Sequence, residues 1–332
     1  MSFLIHWCMS FTALLFALLL EQVRPLASGH GLERVLIQWA GWLKNNLDTG
    51  DIRHGWTIWG LAVGLPSGVV VAVHWWLVWS IGWIFAMLWS LAVVYLTLGF
   101  RRFSHHFTGI RDALAVGDDM LARALLREWQ GEADVTLTRT EIVRHVIEFS
   151  AIAAHRHVFG VMAWFSLLAA LGLGPAGALL FRLSALLFKA WGVPTSPAED
   201  ETSHTSDALQ HVVGRAWYLV DWLPARMTGL SFAVVGNFED VVDAWRQEVG
   251  HFPGANDGVV LAATSGAINV RLGGLYLSPQ ATDAEEVENV VQPTAGREPQ
   301  YTHLRSMVGL FWRAVVMWMV LLALMTLARL LG

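Results

Sequence analysis

The chain has 332 residues, of which 55% are hydrophobic and 15% are charged, and its mean hydropathy is +0.47. Soluble domains carry about 25% charged residues, so this composition excludes an ordinary water-soluble protein and predicts a membrane protein in contact with the lipid bilayer. The net charge of −5 gives no basic field that would suggest nucleic-acid binding. A single cysteine, Cys8, excludes a disulfide framework and cysteine-based zinc or iron–sulfur sites.

Uncharged stretches predict where the chain crosses the membrane, because about 20 apolar residues span the hydrocarbon core. The first stretch, residues 2–20, is interpreted as a retained anchor. A signal peptide would have Lys or Arg before its apolar region, and none precedes this stretch. Residues 55–100 contain no Asp, Glu, Lys or Arg and are more than twice as long as one crossing. They predict a hairpin with spans at 56–76 and 80–100 and a turn within 77–82.

Two further apolar stretches follow. Residues 158–189 are interrupted by glycines and a proline at 172–177, which predicts either one tilted span or a broken hairpin of two short helices. The last span is expected at 309–329.

The fold class is therefore a mostly α, polytopic membrane protein with about 4–5 membrane helices, amphipathic or re-entrant helices and helical aqueous loops. Arginines in residues 101–156 favour the cytoplasmic side of a bacterial inner membrane for that loop.

The first large polar loop, residues 101–157, is expected to be helical. Thr138 and Glu141 have the spacing of a capping box, which marks the start of a helix. On that helix Glu141, His145 and Glu148 share one face. The pattern predicts an exposed charged stripe at the membrane surface or, as a weaker alternative, a divalent metal site that uses Glu141 and Glu148.

The second polar loop, residues 190–308, contains a short apolar segment after a charged pair. Asp221 and Arg226 precede residues 227–238, which are too few to span a membrane. We expect this segment to be a re-entrant or interfacial helix. Because an isolated buried charge is costly, Asp221 and Arg226 are expected to pair.

Glycines surround an arginine further along this loop, where Arg271 is followed by Gly273 and Gly274. Glycine lets backbone N–H groups approach a phosphate, and arginine offers a bidentate pair of donors. The pattern predicts a phosphate-binding loop or, alternatively, a structural loop closed by an arginine–carboxylate bond. No GxxxxGK[ST] nucleotide motif occurs in the chain, and no GxGxxG motif occurs in this loop.

Several motifs in this order resemble the CobD/CbiB family of cobalamin synthesis and its relatives of the AmpE type. Residues 113–126 are similar to its A-x-x-x-G-D…A-R-x-L-L helix pair, and residues 174–182 to its P-x-G-A-L-x-[YF]-R element. Residues 221–228 resemble its D…[IL]-P-A-R-[LM]-T segment. Residues 256–258 and 266–274 resemble its N-x-G…G-A-L-x-V-R-L-G-G tail.

The resemblance implies a single membrane domain over residues 1–332 and an adenosylcobinamide-phosphate synthase-like activity. Such an enzyme joins aminopropanol, or its phosphate, to a carboxylate of the corrinoid cobyric acid and uses ATP and Mg²⁺. The expected site residues are Glu148 and Asp221 for base or Mg²⁺ chemistry, Asn256 for orientation, and Arg226, Arg271, Gly273 and Gly274 for phosphate.

A second function remains open at this point, a non-catalytic AmpE-like signalling protein that acts with other membrane proteins. The chain lacks the family enzymes' G-D-P…H-P motif at residues 21–25 and their acidic-Asn-Thr/Ser…Asp-Gly run at residues 152–157. A transporter is less favoured, because the long uncharged spans hold no Asp, Glu, Lys or Arg at mid-membrane.

Overall fold

The computed structural model describes residues 2–24, 31–130, 137–192, 205–252, 254–273 and 293–331. Within these ranges the chain is almost entirely helical, and its one strand-like pairing is a parallel bridge between Val270 and Arg297. The predicted helical class is confirmed. Cys8 lies on a described helix, whereas Gly274 lies outside the described residues.

The helices are numbered in chain order. The first ten are α1 (Ser2–Val23), α2 (Gly31–Leu47), α3 (Ile52–Trp59), α4 (Leu65–Ser80), α5 (Trp83–Thr97), α6 (Phe100–Ala115), α7 (Asp119–Gln130), α8 (Arg139–Ala154), α9 (Gly160–Ala170) and α10 (Ala176–Trp191). The others are α11 (Asp207–Val235), α12 (Phe238–Glu248), α13 (Ala255–Ile268) and α14 (Tyr301–Leu331).

Three helical runs in the described part of the chain are long and apolar enough to cross a membrane: Ile52–Ser80, Arg139–Ala170 and Tyr301–Ala328. Shorter apolar helices cover Met9–Val23 and Trp83–Thr97. The protein is therefore a helical membrane protein by helix length and composition.

The predicted hairpin in the long uncharged stretch turns at Ile81 and Gly82, inside the expected range. Gly82 has φ +127°, a value that side-chain-bearing residues rarely adopt, which explains a glycine at this turn. Before the turn, the π-helical segment Gly60–Gly64 joins α3 to α4 without a break.

No helix end separates the polar loop from the apolar stretch near residue 157. A π-helical segment, His155–Phe159, joins α8 to α9, so the helix that begins in the polar loop continues into the apolar stretch. The physical reason is that the sequence offers no glycine or proline between Arg139 and Phe159 to end the helix. The break within 158–189 lies after α9, and α10 follows it as a separate helix.

The chain divides into two compact units. The first consists of Met1–Gly99, Arg156–Pro224 and Met319–Gly332. In this unit α1 packs on α5, and α9 packs on α10. A Cβ on Gly177 would lie 2.0 Å from the Trp164 carbonyl oxygen, so the α9–α10 contact requires glycine there. The hydrophobic core of the first unit includes Leu43, Ile58, Val63, Leu183, Leu187, Leu209 and Val213.

The second unit consists of Phe100–His155 and Ala225–Trp318. In this unit α12 packs on α13, α6 packs on α7, and α8 contacts α6, α7 and α13. Helices α11 and α14 each contribute residues to both units.

The segment 227–238, expected as a re-entrant or interfacial helix, is helical up to Val235 as part of a longer helix. These residues up to Val235 belong to α11, a 29-residue helix that contains Pro224. Proline removes one backbone N–H but does not end this helix. Because Thr228 is fully buried and Ser231 is 4% exposed, tertiary packing in the second unit stabilises the helix beyond the proline.

Candidate functional site

Glu148 occupies a buried position on α8 in the second unit, with 2% of its surface exposed. Its Oε1 accepts a hydrogen bond from the backbone N–H of Gly273 at 2.7 Å. His145, one turn earlier, is also buried, and its Nδ1 lies 3.3 Å from Nε2 of Gln130. The predicted exposed charged stripe is therefore wrong, because α8 is covered by α6, α7 and α13.

Glu141 has a different task at the start of α8. Its Oε2 accepts hydrogen bonds from the backbone N–H and the hydroxyl of Thr138, each at 2.7 Å. The Glu141 N–H donates to the Thr138 hydroxyl at 3.4 Å, which completes the predicted capping box. Seven helical positions separate Glu141 from Glu148, a rise of about 10 Å. Within the described ranges, no group of three or more His, Cys, Asp or Glu side chains is arranged to hold a metal ion.

The tail after α13 runs as an extended segment beside residues 293–297. The backbone N–H of Arg271 donates to the Arg297 carbonyl at 2.7 Å, and the Thr294 N–H donates to the Leu272 carbonyl at 2.8 Å. Val270 and Leu272 are fully buried, whereas Arg271 between them is exposed. This alternation is that of an extended strand with one buried face, and it directs the Arg271 side chain to the solvent.

The backbone closes the loop around Arg271. Across the described part of the chain, Arg271 has no ion pair with a carboxylate, so the expected alternative of a loop closed by an arginine–carboxylate bond is not observed there. Glu148 instead anchors this tail through the Gly273 N–H. An exposed guanidinium on a fixed backbone is a suitable donor for phosphate or carboxylate oxygens.

Arg226 and Asn256 form the second contact between predicted site residues. Nη1 of Arg226 on α11 donates to Oδ1 of Asn256 at 3.1 Å, and Asn256 lies buried in the first turn of α13. The sequence indicated both residues but not this partnership. Asp221 is fully buried and belongs to the first unit, whereas Arg226 belongs to the second.

Two hydroxyl groups outside the set of predicted site residues hold the same part of α11. Nδ1 of His155 lies 2.9 Å from the Thr228 hydroxyl, and Nε1 of Trp318 donates to the Ser231 hydroxyl at 2.8 Å. Together with Arg226, these bonds connect one end of α11 to three other segments of the second unit. Arg226 therefore lies on a part of α11 that is fixed by hydrogen bonds to neighbouring segments.

Comparisons with known proteins agree with the motif pattern. A family model described as CobD/Cbib protein matches residues 11–311. The chain is 27% identical over 274 residues to a protein named Cobalamin biosynthesis protein CobD from Stutzerimonas stutzeri, with 81% of each chain covered. It is 32% identical over 188 residues to a protein of that name from Chromobacterium violaceum, with 55% of each chain covered. A third relative of that name, from Leptospira interrogans, is 28% identical over 200 residues, 59% of each chain. No solved structure matches the chain.

Proposed function

The chain belongs to the CobD/CbiB family, and from this premise we propose that it acts in cobalamin biosynthesis as an adenosylcobinamide-phosphate synthase-like enzyme. The proposed reaction is ATP-dependent formation of an amide between a carboxylate of cobyric acid and aminopropanol or its phosphate. The proposed location is a bacterial inner membrane, which the chain crosses several times. The comparisons give no support to the AmpE-like signalling alternative.

The proposed chemistry has two steps. A carboxylate oxygen of the corrinoid attacks the terminal phosphorus of ATP, and ADP leaves. The amine nitrogen then attacks the acyl carbon, inorganic phosphate leaves, and the nitrogen loses its proton. In both steps, negatively charged phosphate oxygens lie at the site on the protein. A positioned guanidinium stabilises this negative charge.

Arg271 is the residue we propose to bind these phosphate oxygens. The observation that carries this assignment is that Arg271 is exposed while the backbone on both sides of it is fixed. Arg226 is the second proposed phosphate ligand, and Asn256 orients it through their hydrogen bond. Gly273 contributes its N–H to Glu148 and is therefore part of the support of the site.

Glu148 is better suited to positioning than to proton transfer or metal binding. Its Oε1 is engaged with the Gly273 N–H, and the side chain is 2% exposed. The Glu141 carboxylate is likewise engaged in the capping box. In the described residues, these two carboxylates are therefore not arranged to hold Mg²⁺. A role for Asp221 in proton removal stays a prediction.

A deletion strain tests the proposal most directly. In a strain without a second synthase gene, growth on cobyric acid should fail and growth on cobinamide should persist. The wild-type chain and the exposed-control variant Arg246→Ala should restore growth on cobyric acid, whereas Arg271→Ala should not. If the deletion strain uses cobyric acid normally, the synthase proposal is wrong.

A further inference from the structure

Glu248 is a second buried carboxylate in the second unit, and no sequence motif marks it. It is the last residue of α12 and is 6% exposed. Its Oε1 accepts a hydrogen bond from the backbone N–H of Ala295 at 2.6 Å. A carboxylate at the C-terminal end of a helix opposes the helix dipole, and burial adds a desolvation cost. The hydrogen bond from the Ala295 N–H offsets part of this cost.

The residue that Glu248 holds belongs to the segment paired with the Arg271 tail. Thr294, next to Ala295, exchanges bonds with Leu272: its N–H donates to the Leu272 carbonyl, and its hydroxyl accepts from the Leu272 N–H, each at 2.8 Å. Two residues after Ala295, the Arg297 carbonyl accepts the Arg271 N–H at 2.7 Å.

The two segments touch through their backbones. Gly296 has φ +121°, and a Cβ at this position would lie 2.9 Å from the carbonyl carbon of Val270. Only glycine therefore fits between Ala295 and Arg297. No flexible side chain lies between the two backbones at this point. A displacement of one segment therefore displaces the other.

We infer that Glu248 is a positioning residue for Arg271, which it fixes through Ala295 and the Arg297 carbonyl. Glu148 and Glu248 then form a pair of carboxylate clamps: Glu148 holds the segment that carries Arg271, and Glu248 holds the segment beside it. The inference rests on the proposed function in that the group fixed by the clamps is the proposed phosphate-binding arginine.

Three variants of the full-length, detergent-purified protein separate hydrogen-bond acceptance from charge. Glu248→Gln keeps an acceptor oxygen for the Ala295 N–H, whereas Glu248→Leu removes it with little change in size. Asp243→Leu is the matched control, because Asp243 is an exposed acid on the same helix.

The first measurement is the rate of trypsin cleavage after Arg271 and Arg297, followed by mass spectrometry of the fragments. Cleavage tracks local opening of the paired segments. Loss of the buried acceptor should accelerate it about fivefold or more in Glu248→Leu. Glu248→Gln and Asp243→Leu should be cleaved at nearly the wild-type rate.

The second measurement is phenylglyoxal labelling of Arg271, with ATP or inorganic phosphate as the protecting ligand. In the wild type and Glu248→Gln, the ligand should slow the labelling. In Glu248→Leu, about fivefold more ligand should be needed for equal protection. Protection by ATP alone assigns the site to a nucleotide, whereas equal protection by both ligands assigns it to a free phosphate group.

Unchanged trypsin cleavage in Glu248→Leu would overturn the clamp. Faster cleavage with unchanged protection would overturn the positioning role of Glu248. If protection of Arg271 depends on Glu248 as expected but the wild-type chain forms no amide from cobyric acid, the inference stands and the proposed synthase function fails.

Discussion

The carboxylate of Glu148 accepts the backbone N–H of Gly273 at 2.7 Å, although 125 positions separate the two residues in the chain. This bond satisfies a buried backbone N–H, which would be costly to leave without an acceptor. The contact connects α8 to the tail that carries Arg271. It makes the residue type at position 148 a determinant of the geometry of that tail.

Substitution of Glu148 distinguishes positioning from direct chemistry. Glu148→Gln keeps an acceptor for the Gly273 N–H, so we expect it to retain a large part of the wild-type kcat, with a modest rise in the KM for ATP. Glu148→Leu leaves the Gly273 N–H without its partner at a cost of about 1–3 kcal/mol, so its KM should rise further. Steady-state kinetics with membranes containing each variant measures both. Equal loss of kcat in the two variants would instead indicate that Glu148 acts directly as a base or metal ligand.

Local sequence patterns predicted the features that depend on neighbouring residues. The capping box of Thr138 and Glu141 and the hairpin turn at Gly82 lie where their spacing and composition indicated. The burial of Glu148 was missed, because a charged face on a helix shows nothing of the elements that cover it. The continuity of α8 with α9 through a π-helical segment was also missed, because the charge pattern shows where polarity changes and not where a helix ends.

In the candidate site too, local patterns indicated single residues but not their partners, which are distant in the chain. Glycines beside an arginine indicated Arg271 and Gly273, and the resemblance to the family's N-x-G segment indicated Asn256. The partners of these residues are separated by long stretches of chain, as in Arg226 with Asn256. Glu248 carried no signal at all, because a single acid at a helix end is ordinary in sequence and its task depends on Ala295.

Removal of the Arg226 side chain should weaken both the fold and phosphate binding. A hydrogen bond from a charged donor contributes about 1.5–3 kcal/mol, and partial exposure of Arg226 reduces this value. We expect Arg226→Ala to lower the Tm by a few degrees and to raise the KM for ATP, whereas the exposed control Arg246→Ala should change neither. Tryptophan fluorescence during heating and kinetics measure the two effects. A lower Tm with an unchanged KM would restrict Arg226 to a structural role.

In the first unit, Arg182 on α10 lies between Glu33 and His157. Its Nη1 is 2.9 Å from Nδ1 of His157, and its Nη2 is 3.6 Å from Oε1 of Glu33. A guanidinium only donates, so Nδ1 of His157 accepts and its ring proton is assigned to Nε2. The Arg182 and Glu33 side chains are 11% and 13% exposed, so the pair is largely shielded from water.

Replacement of Arg182 should therefore be strongly destabilising. Arg182→Met removes the charge opposite Glu33, and loss of one partner of a buried ion pair costs about 3–5 kcal/mol. Arg182→Lys keeps the charge but not the forked donor geometry, so its Tm should lie between those of Arg182→Met and the wild type. Arg215→Met on α11 is the control, because Arg215 is exposed. Equal Tm values for Arg182→Met and this control would contradict the importance of the pair.

Asp48 connects the end of α2 to the start of α11 and gives a pH-dependent contribution to stability. Its Oδ1 accepts the Ser206 hydroxyl at 2.6 Å, its Oδ2 accepts the Ser206 N–H at 3.1 Å, and the Ser206 hydroxyl also caps α11 by accepting the Leu209 N–H at 3.2 Å. Partial burial acts to raise the pKa of Asp48, but the bonds from Ser206 and Gly50 and the charge of Lys44 outweigh it and hold the pKa below the ordinary value of 3.8.

Because the pKa of Asp48 is lower in the folded protein than in the unfolded chain, these bonds stabilise the fold fully above about pH 4. Their contribution is lost as the pH falls through the folded-state pKa, when the carboxylate becomes protonated. Asp48→Ala should thus have a lower Tm than the wild type at pH 6, and the difference should shrink below about pH 4. The exposed Glu128→Ala variant should show no such pH-dependent difference. A Tm difference between Asp48→Ala and the wild type that stays constant from pH 6 to pH 3 would show that Asp48 acts through packing and not through its charge.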